Sequence, residues 1–172
     1  YGLYVQGKEN VVQRFYQKAK DKLEECLKKD PNFLPALTEL SLLMLRKMEY
    51  KEALALSKKA LSIDTYDPAA NYYYGLANVE LGNITDAKDG FDLAALSMQY
   101  RSAAYTELSK IYFRQKDYSR ALEYCGKSLD FNRYNLDAYQ LKATMHRPQQ
   151  NKAMGQEVLN SILSIDPLNH LA

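Results

Sequence analysis

The sequence predicts an all-α fold, a solenoid of stacked helix pairs, on the strength of three series of small residues. The first series recurs every 34 residues, with Gly155 in the fifth place: Ala19, Ala53, Ala87 and Ala121. The second follows seven residues later and is broken at Ile162: Cys26, Ala60, Ala94 and Ser128. The third lies between them: Ala36, Ala70, Ala104 and Ala138. Repeated units of this length stack around a shared core, so the working part of such a protein is a surface.

Small residues are needed where the two helices of a pair cross closely, because a larger side chain would push the helix axes apart. Large residues such as Leu37 and Phe91 then fill the neighbouring gaps. The spacing assigns six alanines to this packing role: Ala19, Ala53, Ala60, Ala87, Ala94 and Ala121.

Each period contains two stretches with helical spacing, separated by a polar turn. The first period is irregular, and we expect one long helix from about residue 10, with Gly7 as the preceding turn. In the third period Gly82 suits the position after a helix end. In the fourth, Asp117 is a predicted N-cap. In the fifth, Pro148 should end the first helix early.

These elements define one array over residues 1–172. Its predicted parts are an irregular first repeat 1–33, the repeats 34–67, 68–101 and 102–135, and a weakened last repeat 136–169. Tyr66, Tyr100 and Tyr134 share one repeat position just before a helix. We expect their rings to pack over the joints between repeats.

The phased residues extend beyond the alanines. The third repeat carries Asn71, Tyr74-Gly75, Asn78, Ala87, Phe91 and Ala94, and the fourth carries Tyr105, Leu108-Ser109, Tyr112, Ala121, Cys125 and Ser128. This pattern resembles the tetratricopeptide repeat (TPR), a 34-residue helix–turn–helix family, over nearly the whole chain. Tryptophan is absent, and Gly155 and Ile162 weaken the fifth repeat. The resemblance implies an α-α superhelix, a right-handed solenoid of antiparallel helix pairs.

A narrower resemblance rests on the stretches 73–78, 86–91, 100–105 and 166–170. They are similar to those of one bacterial group of large proteins of unassigned function, in which such repeats follow β-rich, carbohydrate-enzyme-like domains. This resemblance implies that the chain is the repeat module of a multidomain protein. Because the chain opens on Tyr1 with the repeat already in progress, we also expect it to be a fragment.

In the TPR family the first helix of each pair lines a concave groove. The resemblance places ten residues there: Thr38, Leu42, Arg46, Tyr72, Leu76, Glu80, Thr106, Lys110, Arg114 and Gln140. A peptide laid across them would meet an apolar floor with flanking charges. One family variant grips a carboxylate through Lys and Asn at fixed groove positions. Those positions here carry Thr38 and Leu42, Tyr72 and Leu76, Thr106 and Lys110, so that clamp is absent.

Two features of the predicted groove have competing interpretations. The run Tyr72-Tyr73-Tyr74 points in three directions on a helix, so Tyr74 is expected inside, and the others contact a peptide, pack, or stack on a sugar. Lys110 and Arg114 either hold an acidic ligand or are simply solvated. Pairing of Lys110 with Glu107 would favour the second interpretation.

Candidate catalytic groups are poor. His146 and His170 have no cysteine or carboxylate pattern nearby, and the sequence contains no phosphate-binding glycine loop or nucleophile motif. Cys26 and Cys125 occupy helix positions that are small or apolar in other repeats, so both are expected as packed free thiols. We therefore predict no cofactor, no metal and no enzymatic activity.

The predicted function is a non-catalytic protein–protein interaction or scaffold module that binds a peptide, or a neighbouring domain of its parent, through the groove. The alternatives are an intramolecular spacer or dimerisation module, which leaves a homodimer open, and a glycan-binding accessory. The formal charge of +2, with acidic and basic residues interleaved, argues against nucleic acid. No apolar run approaches the roughly 18 residues of a membrane span. The expected location is cytoplasmic or periplasmic.

Overall fold

The computed structural model describes residues 1–146 and residues 160, 162, 164 and 165. In that part of the chain nine α-helices follow one another without a strand, which confirms the predicted all-α fold. The helices are α1 (Gly2–Val12), α2 (Tyr16–Lys29), α3 (Leu34–Arg46), α4 (Tyr50–Ile63), α5 (Pro68–Glu80), α6 (Ile84–Ala94), α7 (Met98–Arg114), α8 (Tyr118–Phe131) and α9 (Leu136–His146).

The chain divides into two compact units, Tyr1–Ala94 and Ala95–Ala172. Consecutive helices pack in pairs, α1 with α2, α3 with α4 and α5 with α6 in the first unit, and α7 with α8 in the second. All six alanines assigned to packing are fully buried. Gly155, Pro148, His170 and the stretch 166–170 lie outside the described residues.

The turn inside each helix pair has the same backbone conformation. Its central residue has a positive φ at four positions spaced by the repeat: Arg14 (60°), Met48 (61°), Gly82 (81°) and Lys116 (62°). At the second turn Glu49 N–H donates to Met44 O at 2.9 Å and Met48 N–H donates to Leu45 O at 3.0 Å. These two bonds form a Schellman motif, which satisfies carbonyls left open at a helix end. Three of the four turns therefore hold a side chain where glycine fits best.

The first repeat contains a normal helix pair, so the expectation of one long helix from about residue 10 is wrong. The chain turns at Arg14, and Gly7 lies in the middle of α1. A Cβ built on Gly7 would lie 2.9 Å from Leu23 Cγ. Gly7 thus allows α1 to approach α2 closely, and its role is packing rather than chain reversal.

The connections that follow α2, α4 and α8 share an Asx turn. The side chains of Asp30, Asp64 and Asn132 accept hydrogen bonds from the backbone N–H two residues later, at 3.1, 3.0 and 3.0 Å. Met98 has the equivalent repeat position after α6, but it is the first residue of α7 and lacks the carboxylate or amide oxygen that an Asx turn needs. There α6 ends at Ala94 and α7 begins at Met98 rather than at residue 102.

The expectation that the rings of Tyr66, Tyr100 and Tyr134 pack over the joints between repeats is wrong. Tyr66 and Tyr134 donate their backbone N–H groups to the Asx side chains, and they are 69% and 79% exposed. Tyr100 lies inside α7 and is half-buried. The turn holds the backbone of this position and leaves the ring of Tyr66 or Tyr134 in solvent.

Candidate functional site

In the first unit, six predicted groove residues lie on two helices that pack side by side, α3 and α5. They are Thr38, Leu42 and Arg46 on α3 and Tyr72, Leu76 and Glu80 on α5. Four-residue spacing keeps each set on one helix face. The other face of α3 is buried in the core, through residues such as Leu40 and Leu43. Of the six side chains, those of Arg46 and Glu80 are exposed and the other four are half-buried.

The middle of this surface is apolar and its edge is charged. Leu42 and Leu76, one repeat apart, are both half-buried. Arg46 and Glu80, at the last turn of each helix, are exposed and carry opposite charges. The surface therefore offers aliphatic contact with one charge of each sign beside it.

The third pair of equivalent positions, Thr38 and Tyr72, makes contacts within the protein. The Thr38 hydroxyl donates to the backbone of its own helix, to Pro35 O at 3.0 Å. The Tyr72 ring lies 5.7 Å from the Phe91 ring and 6.1 Å from the Tyr73 ring. Each side chain therefore already has a contact within the protein, Thr38 with its own helix and Tyr72 with Phe91 and Tyr73.

Tyr74 was expected inside, and it is half-buried. Burial raises the pKa of its phenol, and the nearby Asp86 carboxylate raises the pKa further.

Because the first repeat also contains a helix pair, the 34-residue spacing of the predicted groove positions extends to α1. One repeat before Thr38, Leu42 and Arg46 stand Tyr4, Lys8 and Val12. Lys8 Nζ lies 4.0 Å from Glu39, and the Tyr4 ring packs edge-on against Phe33 at 5.5 Å. Sequence reasoning missed these residues because it placed a turn at Gly7 and no helix over Tyr4 and Lys8, although the 34-residue spacing extends to them.

In the second unit, the structure removes Thr106 from the predicted groove. Thr106 is 3% exposed and its hydroxyl lies 2.8 Å from that of Ser128. The Asn135 amide nitrogen lies 2.9, 3.0 and 3.0 Å from the hydroxyl oxygens of Ser102, Thr106 and Ser128, which are the possible acceptors for its two N–H groups. Asn135 Oδ1 also accepts from Ala138 N–H at 3.1 Å, at the start of α9. Thr106 thus belongs to a buried polar cluster that joins α7, α8 and α9.

The remaining predicted residues of this unit lie on α7 and α9. Lys110 Nζ lies 2.8 Å from Glu107 and 3.7 Å from Asp137, so its charge is already compensated. This favours the interpretation that Lys110 is not a ligand-binding cation. Arg114 is exposed at the last turn of α7, and Gln140 is half-buried on α9.

The metal-binding and thiol groups of the described residues were the remaining candidates for chemistry. Within this part, no three His, Cys, Asp or Glu side chains lie close enough to hold a metal ion. Cys26 and Cys125 are buried free thiols. Cys125 Sγ donates to Ala138 O at 3.0 Å, and burial raises the pKa of this thiol to about 11. His146 is the last residue of α9. None of the helices described is both long and apolar enough to cross a bilayer.

No family model matches the sequence. Over 96 residues, 56% of the chain, it is 30% identical to the cell division cycle protein 27 homolog A of Arabidopsis thaliana. The chain spans 13% of the length of that relative.

Among solved structures, pilF of Pseudomonas aeruginosa has a TM-score of 0.88 at 22% identity, covering 98% of this chain and 77% of the other. A tetratricopeptide repeat protein of Parabacteroides merdae has a TM-score of 0.76 at 20% identity, covering 98% and 67%. YrrB, described as a TPR protein with an unusual peptide-binding site, has a TM-score of 0.72 at 17% identity, and the match covers 98% of this chain and 87% of YrrB. The chain has the TPR fold. This TPR fold carries the surface on α3 and α5 described above.

Proposed function

We propose that this chain is a non-catalytic scaffold module that binds a peptide, or a neighbouring domain of its parent, across α3 and α5. Leu42 and Leu76 form the floor of the site, Tyr72 and Thr38 one wall, and Arg46 and Glu80 the opposite edge. The peptide-binding site described for YrrB, which shares the fold, supports this choice of ligand. Arg114 on α7 and Gln140 on α9, in the second unit, remain predicted contact residues.

One observation carries the proposal: two half-buried leucines occupy equivalent positions on helices that pack against each other. Covering what remains exposed of each leucine contributes only part of the roughly 1.5–3 kcal/mol that burial of a whole aliphatic side chain contributes. A bound segment that covers both leucines gains the two contributions together. The edge carries both signs of charge, so it favours a partner of mixed charge over a uniformly acidic or basic one.

A peptide library displayed against the immobilised chain supplies the ligand for the test. The affinity of a selected peptide is then compared for wild type, the double variant Leu42→Ser/Leu76→Ser, and the control Leu96→Ser. Leu96 is an exposed leucine outside the site. We expect the double variant to bind at least about tenfold more weakly and the control to bind like wild type. Equal affinity of the double variant, with an unchanged melting temperature, would contradict the proposal.

The alternatives from the sequence make different predictions. A glycan-binding accessory would release heat on titration with oligosaccharides, and Tyr72→Ala would abolish that heat. A pure spacer would select no peptide and leave both leucines without a ligand. The parent with carbohydrate-enzyme-like domains, and the cytoplasmic or periplasmic location, remain proposals that rest on the narrower resemblance and on the sequence.

A further inference from the structure

We propose that the ligand of the site on α3 and α5 is a proline-containing segment in the polyproline II conformation, with an acidic and a basic residue three positions apart. The acidic residue lies over Arg46 and the basic residue lies over Glu80. This inference rests on the proposed function, because it names the ligand of the same site.

Arg46 and Glu80 are opposite charges at equivalent positions of the site, one repeat apart. Both side chains are exposed, at the last turn of their helices. A neighbouring charge is already compensated, since Lys47 Nζ lies 2.6 Å from Glu49. Within residues 1–146, neither Arg46 nor Glu80 takes part in an ion pair, with each other or with another side chain. Each of the two is therefore open to an opposite charge on a ligand.

The spacing of α3 and α5 sets the spacing of the side chains that the ligand presents. The two helices pack side by side, and they run in the same direction because α4 returns the chain between them. Packed helix axes lie about 8–10 Å apart, so equivalent positions on α3 and α5 are separated by about that distance. A polyproline II helix turns once in three residues, so side chains three positions apart point the same way at a separation of about 9.3 Å. Residues i and i+3 of such a segment therefore reach equivalent positions of the two helices.

Other ligand conformations fit this site less well. A β-strand presents the same face every two residues, about 6.6 Å, which is out of register with the two helices. An α-helix presents the same face after seven residues, about 10.5 Å, but isolated helices shorter than about 12–15 residues are marginal in water. Two half-buried leucines offer little apolar surface to offset the ordering of such a helix. A polyproline II segment is largely ordered before it binds, so it loses less conformational entropy.

The rows of the site fit neighbouring residues of such a segment. Leu42 and Leu76 form the floor, four residues before Arg46 and Glu80 on the same helices. Successive residues of a polyproline II helix point about 120° apart, so residues i and i+3 face the charges while residues i+1 and i+4 face the leucines. The third residue of each turn is free to be proline. Tyr72, on the wall, is the kind of aromatic side chain on which proline-rich segments dock.

Short synthetic peptides test the charge requirement. Each is blocked at both ends and has the frame proline–X–leucine–proline–Z–leucine–proline. X and Z are glutamate and lysine in either order, two glutamates, or two lysines. Titration of the full chain is followed through the NMR signals of the Leu42 and Leu76 methyl groups. We expect the tighter of the two mixed-charge peptides to bind about three- to tenfold more tightly than either uniform peptide, and moving Z one position closer to X to remove this advantage.

Charge reversal in the protein should switch the preference. Arg46→Glu makes the edge acidic on both helices, so the peptide with two lysines should bind most tightly. Glu80→Lys makes the edge basic on both helices, so the peptide with two glutamates should bind most tightly. Lys58→Glu, an equal change of charge at an exposed position of α4, is the matched control and should keep the wild-type preference. A thermal melt checks the folding of each variant. Glu80→Lys places a cation at a helix C-terminus, where the helix dipole favours it, so this variant keeps the test valid where Arg46→Glu loses stability.

Four results would each overturn the inference. The wild type binds mixed and uniform peptides alike, a folded variant keeps the wild-type preference, no peptide of this frame shifts the leucine signals, or a helical peptide with its charges seven positions apart binds more tightly. The proposed function survives all four, as long as library-selected peptides lose affinity for Leu42→Ser/Leu76→Ser. Equal affinity of those selected peptides for that variant would contradict the proposed function, and this inference with it.

Discussion

Gly75 of α5 lies against the ring of Phe91 of α6, so closely that a Cβ built on Gly75 would be 2.6 Å from Phe91 Cε1. Phe91 is fully buried. On the facing helix a Cβ on Gly90 would be 2.8 Å from the Asn71 carbonyl oxygen. The two glycines therefore allow α5 and α6 to cross at a distance that alanine would prevent. Contact, and not backbone conformation, requires glycine at both positions.

Gly75→Ala should lower the free energy of unfolding by about 1–3 kcal/mol, because the new methyl group overpacks the crossing. Gly126→Ala is the matched control. It lies in α8 with nothing within 4 Å of a Cβ, and alanine there should raise the free energy by about 0.5–1 kcal/mol. Urea unfolding measures both. Similar stability of the two variants would show that the crossing can relax around the methyl group.

Gly82 and Lys116 occupy the same repeat position in the turns inside the helix pairs, and we predict that substitutions there change the free energy of unfolding in opposite directions. Gly82→Ala should lower the free energy of unfolding by about 1 kcal/mol, since φ is 81° and no neighbour lies within 4 Å of a Cβ. Lys116→Gly should raise the free energy by about 0.5–1 kcal/mol, since Lys116 has a φ of 62°. The control Lys58→Gly, in the exposed middle of α4, should lower it by about 1 kcal/mol. A destabilising Lys116→Gly would mean that the lysine side chain stabilises the turn.

Most of the fold could be predicted because the determining residues repeat along the sequence. The alanines recur every 34 residues and occupy equivalent buried positions, so periodicity alone locates the helices. The cap at Asp117 is equally local: its side chain accepts from Arg120 N–H at 3.1 Å. A local feature of this kind, formed by residues within one helical turn, can be predicted without knowing which other helices pack against it.

The predictions that were wrong concern residues whose role depends on contacts with residues far away in the sequence. Gly7 looks like a turn residue, and only its contact with Leu23 shows that it packs inside a helix. Thr106 has the spacing of a groove residue. In the structure it is buried beside Asn135, 29 residues away, whose amide nitrogen lies 3.0 Å from its hydroxyl. Nothing in the repeat pattern distinguishes this threonine from Thr38, since both hydroxyls donate to a carbonyl of their own helix.

The buried polar cluster around Asn135 should be worth more than a helix cap. Asn135→Ala removes the acceptor for Ala138 N–H and the amide N–H groups that face the hydroxyls of Ser102, Thr106 and Ser128. We expect a loss of about 2–3 kcal/mol by urea unfolding. Asp67→Ala, which removes a cap to Ala70 N–H only, should cost about 1 kcal/mol. Equal losses would mean that the three hydroxyls satisfy one another without Asn135.

The Cys125 thiol should make stability fall at alkaline pH. Burial raises the pKa of this thiol from an ordinary 9.0 to about 11, so the folded state holds the proton more tightly than the unfolded chain does. The stabilisation is fully present below pH 9 and is lost as the pH rises from 9 towards 11, because only the unfolded thiol ionises in that window. The expected loss is about 2 kcal/mol.

Cys125→Ala isolates this effect from other groups that titrate in the same range, including the phenols of Tyr4 and Tyr74, whose pKa values are raised chiefly by burial. Free energies of unfolding measured between pH 8 and pH 11 should decline more steeply for wild type than for the variant. The difference between the two curves reports the single thiol, since every other group is common to both. Parallel curves would mean that Cys125 ionises as readily in the folded protein as in the unfolded chain, and that its bond to Ala138 O does not hold the proton.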